Sequence, residues 1–557
     1  MIRFRLLTLF FLLLALAIVL RLFYWQVIKG GDLKALAESQ HWQFFEIPAP
    51  RGKIVTSDNF PLVTNKLAYL VYGEPAKIKD KKGVVKALSE ILEIDEATIS
   101  ARLKDELLFV PIKHKVEKEK VEKLGQLNVE GIGFEKEEKR FYPEGSMGAH
   151  LLGFVGSDRV GRDTGYFGIE GFYNIELSGR PGILRQEKDA LGRPIVVGEY
   201  QATEPHAGYS LVLTIDRAIQ YMVEEKLKKG VERFGAKNGS VVIMEPESGK
   251  VLAMASYPSY EPGNWQKYER SLFKNPVISD SYEPGSTFKV VTMAAALDSK
   301  VVTPETICDK CSGPREIGGY KISTWNEKYF PNSSMTEILE HSDNVGIVFV
   351  AERLGLKRFY KYLVAFGIGE PTGIDLQEEA SAELRPQNQW YPIDLATAAF
   401  GQGISVTPIQ MVRAVATVAN KGRSMRPYLV QKIVGEDREI DIRPKVVRQV
   451  ISEKTAKILT EMLVSAVDNG EARAFKPSGF RIAGKTGTAQ IPIAGHYDPH
   501  KTIASFVGFA PADEPKFVML VRLTEPTASP WGSETAAPLW FDIAQDLFAY
   551  FGITPGY

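Results

Sequence analysis

Residues 6–28 form an apolar run whose only charge is Arg21, and no other feature constrains the chain as much. As a helix of about 23 residues at ~1.5 Å rise it would span about 34 Å, enough for a bilayer core of ~30 Å. Arg3 and Arg5 precede it, which favours a cytoplasmic N-terminus and puts the remainder outside. Tyr24 and Trp25 suit the outer interface, toward which Arg21 can snorkel. A cleaved signal peptide is the competing reading. Its small-residue triplet, Ala15-Leu16-Ala17, lies inside the apolar run rather than after it, so an uncleaved, single-pass anchor is expected. The chain has 557 residues, more than one hydrophobic core organises, so two or more domains should follow the anchor. Lys+Arg and Asp+Glu both total 68, a balance without the basic excess that nucleic-acid binding needs.

Three regions are expected: a cytoplasmic stub and transmembrane anchor over 1–29, an extracytoplasmic pedestal over 30–205, and a catalytic domain over 206–557. The pedestal is charge-rich between Lys77 and Lys139, with short amphipathic helix patterns at 85–92 and 116–124 and turn-rich segments around them. From about His206 the texture changes. Apolar runs at 239–246 and 250–258, joined by Glu247-Ser248-Gly249, predict a β-hairpin. Three more strands are predicted at 480–491, 502–510 and 516–523, and helix over 286–297 and 395–420 between the two strand groups. Strands at both ends of a domain with helices between them predict an α+β fold, one antiparallel sheet covered by helices. The two cysteines, Cys308 and Cys311, lack the second ligand pair a zinc site requires. A disulfide and two free thiols both remain open for them, and neither is given a catalytic role.

Three short patterns carry chemistry: Ser286-Thr287-Phe288-Lys289, Ser342-Asp343-Asn344 and Lys485-Thr486-Gly487-Thr488. Each has a decoy or a bland reading. Ser271-Leu272-Phe273-Lys274 repeats the first pattern and Ser57-Asp58-Asn59 the second. Context separates them. Ser286 follows Glu283-Pro284-Gly285 and opens an apolar helix, with Lys289 on the same face and able to reach its hydroxyl. A lysine among apolar neighbours is biased toward its neutral form, as a general base must be. Ser271 precedes Asn275-Pro276 and cannot open such a helix. Ser342 and Asn344 sit at a break between two helical segments, where a hydroxyl can relay a proton and a carboxamide can hold a peptide group. His341 beside them is expected to be an exposed helix-end residue. Lys485 and Thr486, Gly487 and Thr488 lie in a strand whose glycines would let an extended peptide approach the edge. The bland readings are a helix cap with a snorkelling lysine, a capping serine with a turn asparagine, and a solvated edge lysine. The order of all three patterns within one domain outweighs them.

With that trio the chain resembles the class B penicillin-binding proteins, which share it with class A β-lactamases. The resemblance extends to Arg51-Gly52, Arg140-Phe141-Tyr142-Pro143-Glu144-Gly145, Gly168-Ile169-Glu170, Leu213-Thr214-Ile215-Asp216, Phe400-Gly401-Gln402-Gly403 and Phe506-Val507-Gly508-Phe509-Ala510-Pro511. It departs at Ser57-Asp58-Asn59-Phe60, where the family usually has an Asp-Arg-x-Gly-like turn. The resemblance implies a dimerisation-type pedestal and a transpeptidase domain with a five-stranded sheet, like the serine β-lactamases and D,D-peptidases. It further implies a peptidoglycan D,D-transpeptidase of the bacterial cell membrane that cross-links stem peptides and is inhibited by β-lactams. In that mechanism Ser286 attacks the carbonyl between two D-alanines, Lys289 takes its proton and Ser342 relays one to the leaving amine. Asn344 orients the peptide, Lys485, Thr486 and Thr488 bind the terminal carboxylate, and the Ser286 and Thr488 N–H groups form the oxyanion hole. No metal or organic cofactor is implied. The implied partners are D-Ala-D-Ala donors, an amine acceptor, membrane lipid around the N-terminal helix, and a SEDS-type glycosyltransferase. The rival readings are a β-lactam hydrolase or sensor, which needs no long pedestal, and a catalytically silent scaffold, which needs none of these side chains.

Overall fold

The apolar run is a helix, Ile2–Phe23, continued through a wider turn at Tyr24–Ile28, and its length and hydropathy suffice to cross a membrane. The structure is a computed structural model and describes residues 1–104, 107, 109–159, 161–187, 200–493 and 496–556. It divides into two units. The first is Met1–Arg51 with Ser178–Gly208, in which helix Gly30–His41 leads into an antiparallel sheet of Trp42–Ile47, Gly182–Glu187 and Tyr200–Thr203. The second is Gly52–Leu177 with Tyr209–Tyr557.

Within the second unit, strands from distant parts of the chain share a seven-stranded mixed sheet. Ile54–Val55 pairs in parallel with Ser210–Leu213, which pairs in turn with Val430–Val434. On the other side Ile54–Val55 meets Pro61–Gly73, flanked by Val110–Val116 and Ile132–Phe141. A buried ion pair locks this region. Arg140 Nε donates to Glu170 at 2.6 Å, and Arg140 Nη1 donates to Gly52 O at 2.7 Å and Asn65 Oδ1 at 2.9 Å.

The five predicted strands form one antiparallel sheet. In chain order they are β1 (Asn238–Met244), β2 (Val251–Tyr257), β3 (Ala483–Ile493), β4 (His496–Ala510) and β5 (Phe517–Thr524), arranged β2-β1-β5-β4-β3. Alternation of side chains gives the sheet two buried faces. Val241, Ile243, Val521 and Leu523 face a core with helices α1 (Arg217–Phe234) and α7 (Ala536–Tyr550), where Trp540 Nε1 donates to Met519 O at 2.8 Å. Val242, Met244, Leu520, Val507 and Phe509 face a core built around α2 (Lys289–Asp298). Each such fully buried side chain contributes ~1.5–3 kcal/mol. Helices α3 (Met335–Glu340), α4 (Asn344–Leu354), α5 (Pro408–Ala419) and α6 (Glu453–Asn469) complete that layer.

Two expectations change, and the open question of the cysteines is decided. The helix predicted over 395–420 is two, Pro392–Ala399 and α5, because the chain turns out at Gly401, where φ is +80°, and restarts behind the Thr407 cap. Cys308 and Cys311 are joined in a disulfide with Cα atoms 5.7 Å apart, and both are buried. His341 is not an exposed helix end. Its ring stacks on Phe330 with centroids 3.9 Å apart, which half-buries it.

Candidate active site

A 3₁₀ turn over Gly285–Phe288 runs directly into α2 and holds Ser286, half-buried, at its start. The turn is clamped on both sides. Gly285 has φ +54°, and a Cβ there would meet Thr488 O of β3 at 2.7 Å. A Cβ on Gly401 would meet Gly285 O at 2.2 Å, so both positions exclude a side chain.

Lys289 is wholly buried on α2, among Val290, Val291 and Phe288. Burial first, and the Lys485 charge second, hold its amine well below the usual lysine pKa. That is the direction a general base requires. Its Nζ donates to Ser342 O at 2.5 Å, Asn344 Oδ1 at 2.8 Å and Ser342 Oγ at 3.3 Å. The expected reach to Ser286 is therefore not a hydrogen bond in this state; the amine is turned to the Ser342–Asn344 segment. That segment is the break between α3 and α4, and Ser342 adopts φ +53°, rare for a residue with a Cβ and typical of strained functional positions. Asp343 caps α4 through the Val345 N–H at 2.8 Å, and burial raises its carboxyl pKa. Asn344 Nδ2 donates to Ser323 O at 3.2 Å. One lone pair and one N–H of its amide remain available to a ligand.

β3 is an edge strand, so one side of it is free to meet a peptide. Lys485 is buried, and burial lowers its pKa while Glu471 opposes the shift. Its Nζ donates to Thr486 Oγ1 at 3.1 Å. Thr488 Oγ1 accepts the Gly532 N–H at 2.9 Å and keeps its own proton to donate. Gly487 also has a packing role beside its expected place at the substrate edge. A Cβ there would meet Ser505 Oγ at 2.6 Å, Thr287 Cγ2 at 2.8 Å and Pro284 O at 2.9 Å, so its smallness seats the nucleophile turn on the sheet.

Ser286, Ser342, Asn344, Thr486 and Thr488 line one cleft, with Lys289 and Lys485 buried behind it. Sequence reasoning missed several walls of that cleft. Trp325 and Trp531, with ring centroids 4.8 Å apart, and Glu471, 3.5 Å from Thr486 Oγ1, come from loops with no motif around them. Phe400 and Gln402 lay in a segment singled out only by resemblance. The decoys stand elsewhere. Ser271 and Lys274 are both exposed, and Ser57-Asp58-Asn59 is a turn with Asn59 at φ +64°. Among the described residues no group of three or more His, Cys, Asp or Glu is placed to hold a metal ion.

Residues 239–548 match the family model of the penicillin-binding protein transpeptidase domain, and residues 46–213 that of the penicillin-binding protein dimerisation domain. The chain is 33% identical to stage V sporulation protein D of Bacillus subtilis, over 96% of this chain and 83% of that one. It is 30% identical to the peptidoglycan D,D-transpeptidase FtsI of Escherichia coli, over 98% and 91%. The crystal structure of penicillin-binding protein 3 from Mycobacterium tuberculosis, complexed with aztreonam, superposes with a TM-score of 0.71 at 26% identity, covering 92% of this chain and 98% of that one. Motif order, sheet topology and both domain matches agree: the chain belongs to the class B penicillin-binding protein transpeptidases.

Proposed function

We propose that this chain cross-links peptidoglycan stem peptides through an acyl-enzyme on Ser286. The observation that carries the reading is Lys289: a buried, pKa-lowered amine held by Ser342 and Asn344 in the cleft that Ser286 opens. Ser286 Oγ attacks the carbonyl between two D-alanines as its proton passes to Lys289, and Ser342 relays a proton to the departing D-alanine amine. The Ser286 and Thr488 N–H groups take the oxyanion, where preorganised donors stabilise the charge that develops. Lys485, Thr486 and Thr488 hold the terminal carboxylate and Asn344 the stem backbone. An acceptor amine from a second stem then attacks the ester, restores Ser286 and leaves a peptide cross-link. β-Lactams acylate the same serine, in keeping with the aztreonam-bound relative.

The N-terminal helix anchors the chain in a membrane. Its single-pass orientation, with the N-terminus in the cytoplasm and the catalytic residues outside, rests on Arg3 and Arg5. The division into anchor 1–29, pedestal 30–205 and transpeptidase 206–557, and a SEDS-type glycosyltransferase partner, complete the proposal. The test is incubation of the purified full chain with peptidoglycan strands that carry pentapeptide stems, read by mass spectrometry. Cross-linked dimers and released D-alanine are expected from wild type and neither from Ser286→Ala. Dimers from both would remove the proposed nucleophile.

A further inference from the structure

The face of the five-stranded sheet that packs on α2 is largely apolar, but besides the buried Lys485 of β3 and Thr524 of β5 it carries one polar row. Ser256 on β2 lies opposite Ser240 on β1, Ser240 opposite Arg522 on β5, Arg522 opposite Ser505 on β4, and Ser505 opposite Gly487 on β3. Directly paired residues of an antiparallel sheet point to the same side, so this polar band crosses four strands and meets Gly487 on the fifth. It ends under the nucleophile turn, where Ser505 Oγ and Thr287 close over Gly487.

Arg522 stands at the centre of the band and is 4% exposed. Its acidic partner among the described residues is Asp280, at 3.5 Å from Nη2, and that carboxylate side chain is 48% exposed. The guanidinium carbon lies 5.2 Å from the centre of the Tyr282 ring. Nε and Nη1 are buried without a hydrogen-bond partner, as are Ser240 Oγ, Ser505 Oγ, Ser256 Oγ and Tyr282 Oη. A guanidinium keeps its proton, so it cannot shed this charge by deprotonation. A buried cation with two idle donor nitrogens and one long, half-solvated ion pair costs several kcal/mol unless something else compensates it. A water molecule would satisfy donors and leave the charge partly unbalanced. A monoatomic anion accepts from the guanidinium and from serine hydroxyls together, and balances the charge as well.

We propose that Arg522, Ser240 and Ser505 form a buried binding site for a small monovalent anion of the chloride type, beneath the turn that carries Ser286. Asp280 and Tyr282 lie on the segment leading into that turn, so the bound anion braces the sheet against it.

Two measurements on the full chain in detergent test this without reference to acylation. Thermal unfolding is followed in sodium chloride and in sodium gluconate at equal ionic strength. A ligand that binds only the folded state raises Tm saturably with its concentration. We expect a chloride-specific rise of about 2–4 °C, absent in Arg522→Met. Because that variant can be compromised in folding, wild-type crystals grown in sodium bromide supply the second measurement. An anomalous peak within hydrogen-bond reach of Arg522 Nε or Nη1 and a serine hydroxyl is expected. Coincident chloride and gluconate curves, or ordinary water at that position with no bromide signal, would overturn the proposal.

Discussion

Lys289 concentrates the chemistry in one side chain. A fully buried helix has little tolerance for an amine, yet this one sits at 0% exposure beside a second buried lysine. Burial and the Lys485 charge both disfavour its protonated form, so penicillin acylation should rise with pH as Lys289 loses its proton, with a midpoint below that of an ordinary lysine. Stopped-flow acylation across pH measures this. A rate flat through that range would remove Lys289 as the base. Lys289→Arg, which cannot deprotonate, should lower the acylation rate about 10²–10⁴-fold while the protein still folds. The spacing of Ser286 and Lys289 was legible in sequence because four residues of one helix contain it. That the amine would turn to Ser342 and Asn344 was not legible, since those contacts join residues more than fifty positions apart.

At the scale of elements, two contacts outside the cleft make separate predictions. Glu224 on α1 accepts the Gly148 N–H and Gln220 Nε2, both at 2.7 Å, and burial pushes its pKa up to about 7. A carboxyl whose folded pKa is raised binds its proton more tightly folded than unfolded. Its contribution is therefore full below the unfolded value and is lost as pH rises through about 7, in total about 3 kcal/mol. Wild-type stability should fall by that component between pH 4.5 and 7.5, and Glu224→Gln should lack it. Identical pH–stability curves would contradict the prediction. Arg140→Met leaves Glu170 charged and buried, and should destabilise the protein by about 3–5 kcal/mol in chemical denaturation. A loss under 1 kcal/mol would mean that the pair is not an anchor. β1, β2, β5 and the 502–510 part of β4 were readable because each is a largely apolar run bounded by turn residues. The mixed sheet was not, because its link through the two residues Ile54–Val55 is a long-range parallel pairing with no local pattern. Nor was the break at Gly401, whose cause is the Gly285 backbone packed against it.

For the whole molecule, one chain combines a helix long and apolar enough to cross a membrane with a cleft built from segments between Gly285 and Trp531. Both natural cysteines are in one disulfide, so a single cysteine introduced at Ile175, which is 84% exposed, reports sidedness cleanly. Ile175→Cys should react with a membrane-impermeant maleimide in intact cells stripped of wall. Reaction only after lysis would reverse the proposed orientation. The proposed chemistry depends above all on Ser286. Purified full-length wild type, Ser286→Ala and Ser271→Ala are each treated with a fluorescent penicillin, and the labelled peptide is identified by mass spectrometry. Label is expected on wild type and Ser271→Ala, attached at Ser286, and none on Ser286→Ala. Label that persists on folded Ser286→Ala, or its absence from folded wild type, would contradict that chemistry.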